Sequence, residues 1–132
     1  MASPTTTVIR RIVLLGNGLT FLVIAFCVPF AVDKAAYLYG YTLNEIGGHN
    51  EFRAVYMGFW IGLAILFFAA AKNINVALLG DLALLMVLFQ SLGRLLSFIL
   101  DGKPPERFVM VFFLELLSSV LGLVMRPQTN AT

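Results

Sequence analysis

Four apolar runs, at about 12–32, 53–71, 76–100 and 107–125, decide what this chain can fold into. At about 1.5 Å per residue, each is long enough to cross a hydrocarbon core of about 30 Å as a helix. No water is present in such a core to bond a bare peptide group, so the runs are predicted to be helices, which satisfy every N–H and C=O internally. Turn signals separate them: Gly47-Gly48-His49-Asn50, then Lys72-Asn73 with Asn75, then Asp101-Gly102-Lys103-Pro104-Pro105. Short connections make consecutive spans run in opposite directions. The expected fold is all-α, an integral membrane antiparallel four-helix bundle occupying residues 1–132 as a single transmembrane domain.

Composition agrees. The chain is 60% hydrophobic and 12% charged, with a mean hydropathy of +0.92, whereas soluble domains carry about 25% charged residues. In 132 residues the spans leave no room for a separate catalytic domain. A net charge of +2 without a basic stripe excludes nucleic acid as a partner. A single cysteine, Cys27, excludes an internal disulfide or dithiol couple. A single histidine, His49, leaves too few soft ligands for zinc or haem, so no metal site is expected and the sequence names no cofactor. Ile12 to Val32 is too long for the apolar core of a signal peptide and reads as a retained first span. Met1 to Thr7 is expected to be a short mobile tail, and the Asn130-Ala131-Thr132 glycosylation pattern is read as chance.

Along the spans, small and polar residues mark faces that pack on protein. Gly16, Asn17, Gly18 and Thr20 suit close helix approach and interhelical hydrogen bonding, and Pro29 is expected to kink or end the first helix. Tyr37, Tyr39 and Tyr41 suit a part-helical segment at headgroup depth. The second helix is expected to begin near Glu51, capped by Asn50. There, Glu51, Val55, Gly58 and Gly62 share a face predicted to turn inward, while Arg53, about 200° around, snorkels to the headgroups. Asp81, near the start of the third helix, is favoured by the helix dipole.

The charges within the spans carry most of the functional information. Gln90, Arg94, Ser97 and Asp101 form a stripe on the third helix, and Glu115, Ser119 and Gly122 form one on the fourth. Arg94 lies seven residues before Asp101 and Glu115 eight after Arg107, about 10 Å and about 12 Å from the same hairpin. A charge at membrane depth costs about 2.5 kcal/mol or more on insertion scales, so the two are predicted to face each other. Glu51 and Arg53 begin their helix on the same side. The candidate cluster is therefore Glu51, Arg53, Gln90, Arg94, Asp101 and Glu115, and the opposite end of the bundle reads as comparatively bare. Either Arg94 and Glu115 are a register-fixing ion pair, or the cluster lines a pocket for a polar head group or passes protons through Glu115.

The motifs Glu51-Phe52-Arg53-Ala54, Gly93-Arg94, Asp101-Gly102 and Glu115 resemble a bacterial group of small four-helix membrane proteins known only as a domain of unknown function. In layout the chain is more distantly similar to the DoxX-type proteins, some of which are linked to quinone or thiosulfate oxidation. The resemblance implies the fold and a bacterial inner (cytoplasmic) membrane location, and it implies no reaction. The leading expectation is a non-enzymatic protein among membrane lipids, either an accessory subunit of a membrane complex or a binder of an amphipathic ligand such as a lipid or quinone. The alternative is a redox component or enzyme using buried carboxylates, or proton or ion transfer. Arg10, Arg11, Lys72 and Arg126 against Lys34, Lys103 and Arg107 place the termini in the cytoplasm.

Overall fold

A computed structural model describes residues 4–127. The first three residues of the expected tail and the Asn130 pattern lie outside them. Helix α1 (Pro4–Cys27) leads through a short 3₁₀ turn (Val28–Phe30) to α2 (Val32–Leu38). Helix α3 (Ile46–Arg53) continues through a π-helical stretch (Ala54–Phe59) into α4 (Trp60–Lys72), and α5 (Ala77–Asp101) and α6 (Glu106–Val124) complete the chain. Four of these helical stretches, Pro4–Phe30, Ile46–Lys72, Ala77–Asp101 and Glu106–Val124, are long and apolar enough to cross a membrane. α1 packs on α4, α4 on α5, α5 on α6, and α6 returns to α1, closing an all-α antiparallel four-helix bundle.

Local chemistry sets most boundaries. Pro4 opens α1, where a missing N–H costs nothing, so residues 4–7 are helical rather than part of a tail. Pro29 lies in the 3₁₀ turn that ends the first span. Gly102, at φ +91°, takes a conformation that L side chains rarely adopt and stops α5. Pro104 and Pro105 follow it, and Glu106 opens α6 as an acid in the first turn.

The core joins Leu14, Phe21 and Ala25 of α1 to Trp60, Leu63, Ala64 and Phe67 of α4 and to Ala83, Leu84 and Val87 of α5. Large apolar side chains such as Ile12, Leu19, Phe26, Phe89, Ile99 and Leu117 point outward. Such a surface is a liability in water, but lipid tails are as apolar as leucine and solvate it well.

The second span differs most from expectation. It begins at Ile46, with Glu45 before its first turn, so His49 and Asn50 are inside the helix and Asn50 is not its cap. Its inward face is Phe52, Trp60, Leu63, Ala64 and Phe67, with Tyr56 half-buried. Glu51, Val55, Gly58 and Gly62 are exposed instead, and a Cβ built at Gly62 would meet no atom within 4 Å. Aromatic rings bury about 150–250 Å² each and outweigh a glycine face that merely permits close approach. The π-helical stretch assists, since its wider turn keeps residues four apart on one side. The rings of Phe52 and Tyr56 stack with centroids 4.3 Å apart, and Tyr56 meets Trp60 edge-on at 4.8 Å.

Candidate functional site: a cavity between α1 and α6

Glu115 projects from α6 toward α5, where two side chains one helical turn apart receive it. Arg94 donates through Nε to Oε2 at 2.8 Å and through Nη2 to Oε1 at 3.1 Å, a two-pronged contact. Gln90 Nε2 donates to Oε1 at 2.9 Å. The pair is mostly covered, with 21% of the Arg94 side chain and 13% of Glu115 exposed. Both Glu115 oxygens are thus occupied by donors. Among the described residues, Arg94 Nη1 has no protein partner.

The other expected members of the cluster stand apart. Asp101 is exposed and accepts a hydrogen bond from Ser97 at 2.9 Å, within the last turn of α5 and with no bond to Glu115. Glu51 and Arg53 are exposed because they flank Phe52, whose burial fixes the helix's rotation. The structure therefore brings together Gln90, Arg94 and Glu115, and separates Glu51, Arg53 and Asp101 from them.

Beside the Arg94–Glu115 pair is a cavity of about 490 Å³. One wall is α1, through Val13, Gly16, Asn17, Thr20 and Ile24, and the other is α6, through Phe108, Val111, Leu114 and Ser118. Tyr39, Trp60, Arg94, Arg107 and Glu115 also line it. On α6 Phe108, Val111, Glu115 and Ser118 follow a 3–4–3 spacing, and on α1 Val13, Asn17, Thr20 and Ile24 a 4–3–4 spacing, so each helix gives one continuous face. The walls are held by a hydrogen bond from Ser118 Oγ to Asn17 Oδ1 at 3.3 Å, while Asn17 Nδ2 donates to Val13 O at 2.9 Å. Gly18, on the other side of α1, packs on Phe67 and Phe68. The small-residue stretch thus serves packing at Gly18 and opens space at Gly16.

The segment between the first two spans covers one end of this space. Tyr39 turns inward against Tyr56, with ring centroids 4.8 Å apart, and against Trp60 at 6.1 Å. Tyr37 and Tyr41 stay exposed. Burial pushes the Tyr39 phenol above its usual pKa, Arg94 pulls it down by less and Glu115 adds to the rise, so it is a neutral O–H group at physiological pH. His49 fastens this segment, with Nε2 2.8 Å from Asp33 Oδ1 and Nδ1 3.0 Å from Glu45 O.

The opposite end of the bundle is not bare. Arg10 is 1% exposed and reaches across three helices, donating to Gly122 O at 3.0 Å, Ala77 O at 2.9 Å and Asp81 Oδ1 at 2.7 Å. Arg126 bonds the other Asp81 oxygen at 2.8 Å. The Gly122 carbonyl belongs to the last turn of α6, so the arginine also satisfies a helix end. Gly80 makes room for it, since a Cβ there would lie 2.5 Å from Arg10 Nη2. The sequence offered the signal, because the depth argument that joined Arg94 to Glu115 also puts Arg10, Asp81 and Arg126 at one level. With Arg10 inside, the exposed cations are Arg11, Lys72 and Arg126 at the terminal end and Lys34, Arg53, Lys103 and Arg107 at the hairpin end. That balance no longer favours cytoplasmic termini.

Among the described residues no three His, Cys, Asp or Glu side chains are grouped to hold a metal ion. Comparison with curated proteins and with solved structures gave no match. One family model matches residues 9–126, nearly the whole chain, and the protein belongs to that family, DUF4345, a domain of unknown function.

Proposed function

We propose that the protein is a non-enzymatic membrane component that holds a small amphipathic molecule, a lipid or a quinone, in the cavity between α1 and α6. The observation that carries this reading is the polarity of that space. Its walls are mostly apolar, their polar members Asn17, Thr20 and Ser118 being bonded to neighbours, while Arg94, Glu115 and Tyr39 add charge and a hydroxyl. Ligand pockets of about 300–1,000 Å³ with apolar walls and a few convergent polar groups have this character. Proton transfer through Glu115 is less well supported, because three donors already fill its two oxygens. The same reading sets the protein in a bacterial inner membrane, where lipids and quinones are at hand.

Gly16 provides the test. It lines the cavity, and a Cβ built there meets no atom within 4 Å, so Gly16→Leu is expected to extend into the space. Protein extracted in mild detergent is expected to carry a lipid or quinone detectable by mass spectrometry, and the Gly16→Leu variant is expected to lose it while remaining folded. Equal retention by both proteins, or no bound molecule in either, would refute the proposal.

A further inference from the structure

We infer that the cavity's ligand carries a single negative charge, a carboxylate or phosphate, at the hairpin end, with its acyl chain running between α1 and α6. This rests on the reading of the cavity as a ligand site. Three charged side chains line the space, Arg94, Arg107 and Glu115. Glu115 is neutralised by its two-pronged bond with Arg94. Arg107 has no carboxylate within ion-pairing distance among the described residues, and its guanidinium lies 5.0 Å from the Phe108 ring centroid. Two cations therefore share one anion, leaving one positive charge in excess beside apolar walls. Arg107 is exposed at the hairpin end, so it meets an anionic head where the cavity opens toward the membrane surface, and a charge-assisted hydrogen bond to that head is stronger than one to a neutral group.

The hydrogen-bonding groups left over agree in sign. Among the described residues, Arg94 Nη1 is a donor without a protein partner and the Tyr39 hydroxyl has no hydrogen-bond partner either. Asn17, Thr20 and Ser118 are already engaged with their neighbours. The cavity thus offers donors and a cation, which suit an acceptor-rich anionic head. A neutral quinone would take the donors and leave the exposed Arg107 to water alone. The direction also fits a bilayer, since Arg107 is the second residue of α6, at its hairpin end, while Val13 and Ser118 line the deeper part. An amphiphile seated this way keeps its head near the surface and its chain toward the middle of the membrane.

Trp60, the single tryptophan, lines the cavity and reports occupancy. Purified protein in detergent is titrated with a brominated fatty acid and with the brominated alcohol of the same chain length, at a pH where the acid is ionised. The Gly16→Leu variant gives the non-specific level of quenching. The acid is expected to quench Trp60 saturably with about ten-fold higher affinity than the alcohol, a difference of about 1.4 kcal/mol. Arg107→Gln should abolish that preference and Arg107→Lys should retain it. Equal affinity for acid and alcohol overturns the anionic head and leaves the cavity reading standing. Absence of saturable quenching by either overturns both. A preference that survives Arg107→Gln overturns the role given to Arg107.

Discussion

Replacing Glu115 by leucine should expose how much the central ion pair contributes. The change removes two hydrogen bonds from Arg94 and one from Gln90, and leaves without a counter-charge an arginine whose side chain is 21% exposed. Breaking a buried pair by removing one member typically costs 3–5 kcal/mol. Partial exposure, and the partners that a membrane-bound unfolded state also finds, bring the expected loss to about 2–3 kcal/mol. Arg94→Met should cost a similar amount, because Glu115 would retain only Gln90. The double variant removes both charges and strands only the Gln90 amide, a loss of about 1–2 kcal/mol. The coupling between the two positions is then about 3 kcal/mol, at the upper end for side chains in contact. Unfolding in rising mole fractions of sodium dodecyl sulfate, followed by Trp60 fluorescence, measures all three variants. If the two single losses simply add, the pair has no net coupling and the electrostatic account of the α5–α6 contact is wrong.

Arg10→Met should destabilise the bundle by about 3 kcal/mol, since it removes the donors to Ala77, Asp81 and Gly122, whereas Arg11→Met, on the exposed side, should change the same unfolding curve by less than about 0.5 kcal/mol. Gly80→Ala should cost about 1–3 kcal/mol by driving a methyl group into the anchored Arg10 guanidinium. Gly62→Ala, in open space, should be neutral or stabilise the helix by up to about 1 kcal/mol, and a marked loss there would restore the glycine face as a packing surface. On a Cys27→Ser background, cysteines at Asn73 and Lys103 should be labelled from opposite sides of the membrane, and labelling from one side would contradict the four-span arrangement.

Length and hydropathy were enough to read four membrane-length helices, because in lipid a long apolar run satisfies its backbone as a helix. Pro29, Gly102 and the Pro104-Pro105 pair act through their own backbone geometry, so their effects were legible one residue at a time. The meeting of Arg94 and Glu115 was legible as well, since rise per residue fixes depth and a hairpin makes two helices neighbours. The rotation of each helix about its axis was not. Whether Glu51 or Phe52 turns inward depends on how much area each face buries against helices distant in sequence and on a π-helical stretch that shifts the phase of the second span. For the same reason Glu51, Arg53 and Asp101 fell away from the cluster, and Arg10, counted in the sequence among the charges at the terminal end, became the tie between α1, α5 and α6. The cavity itself belongs to tertiary structure alone, because it is the volume that α1 and α6 leave between them, and its lining is chosen by the packing of both helices against their other neighbours.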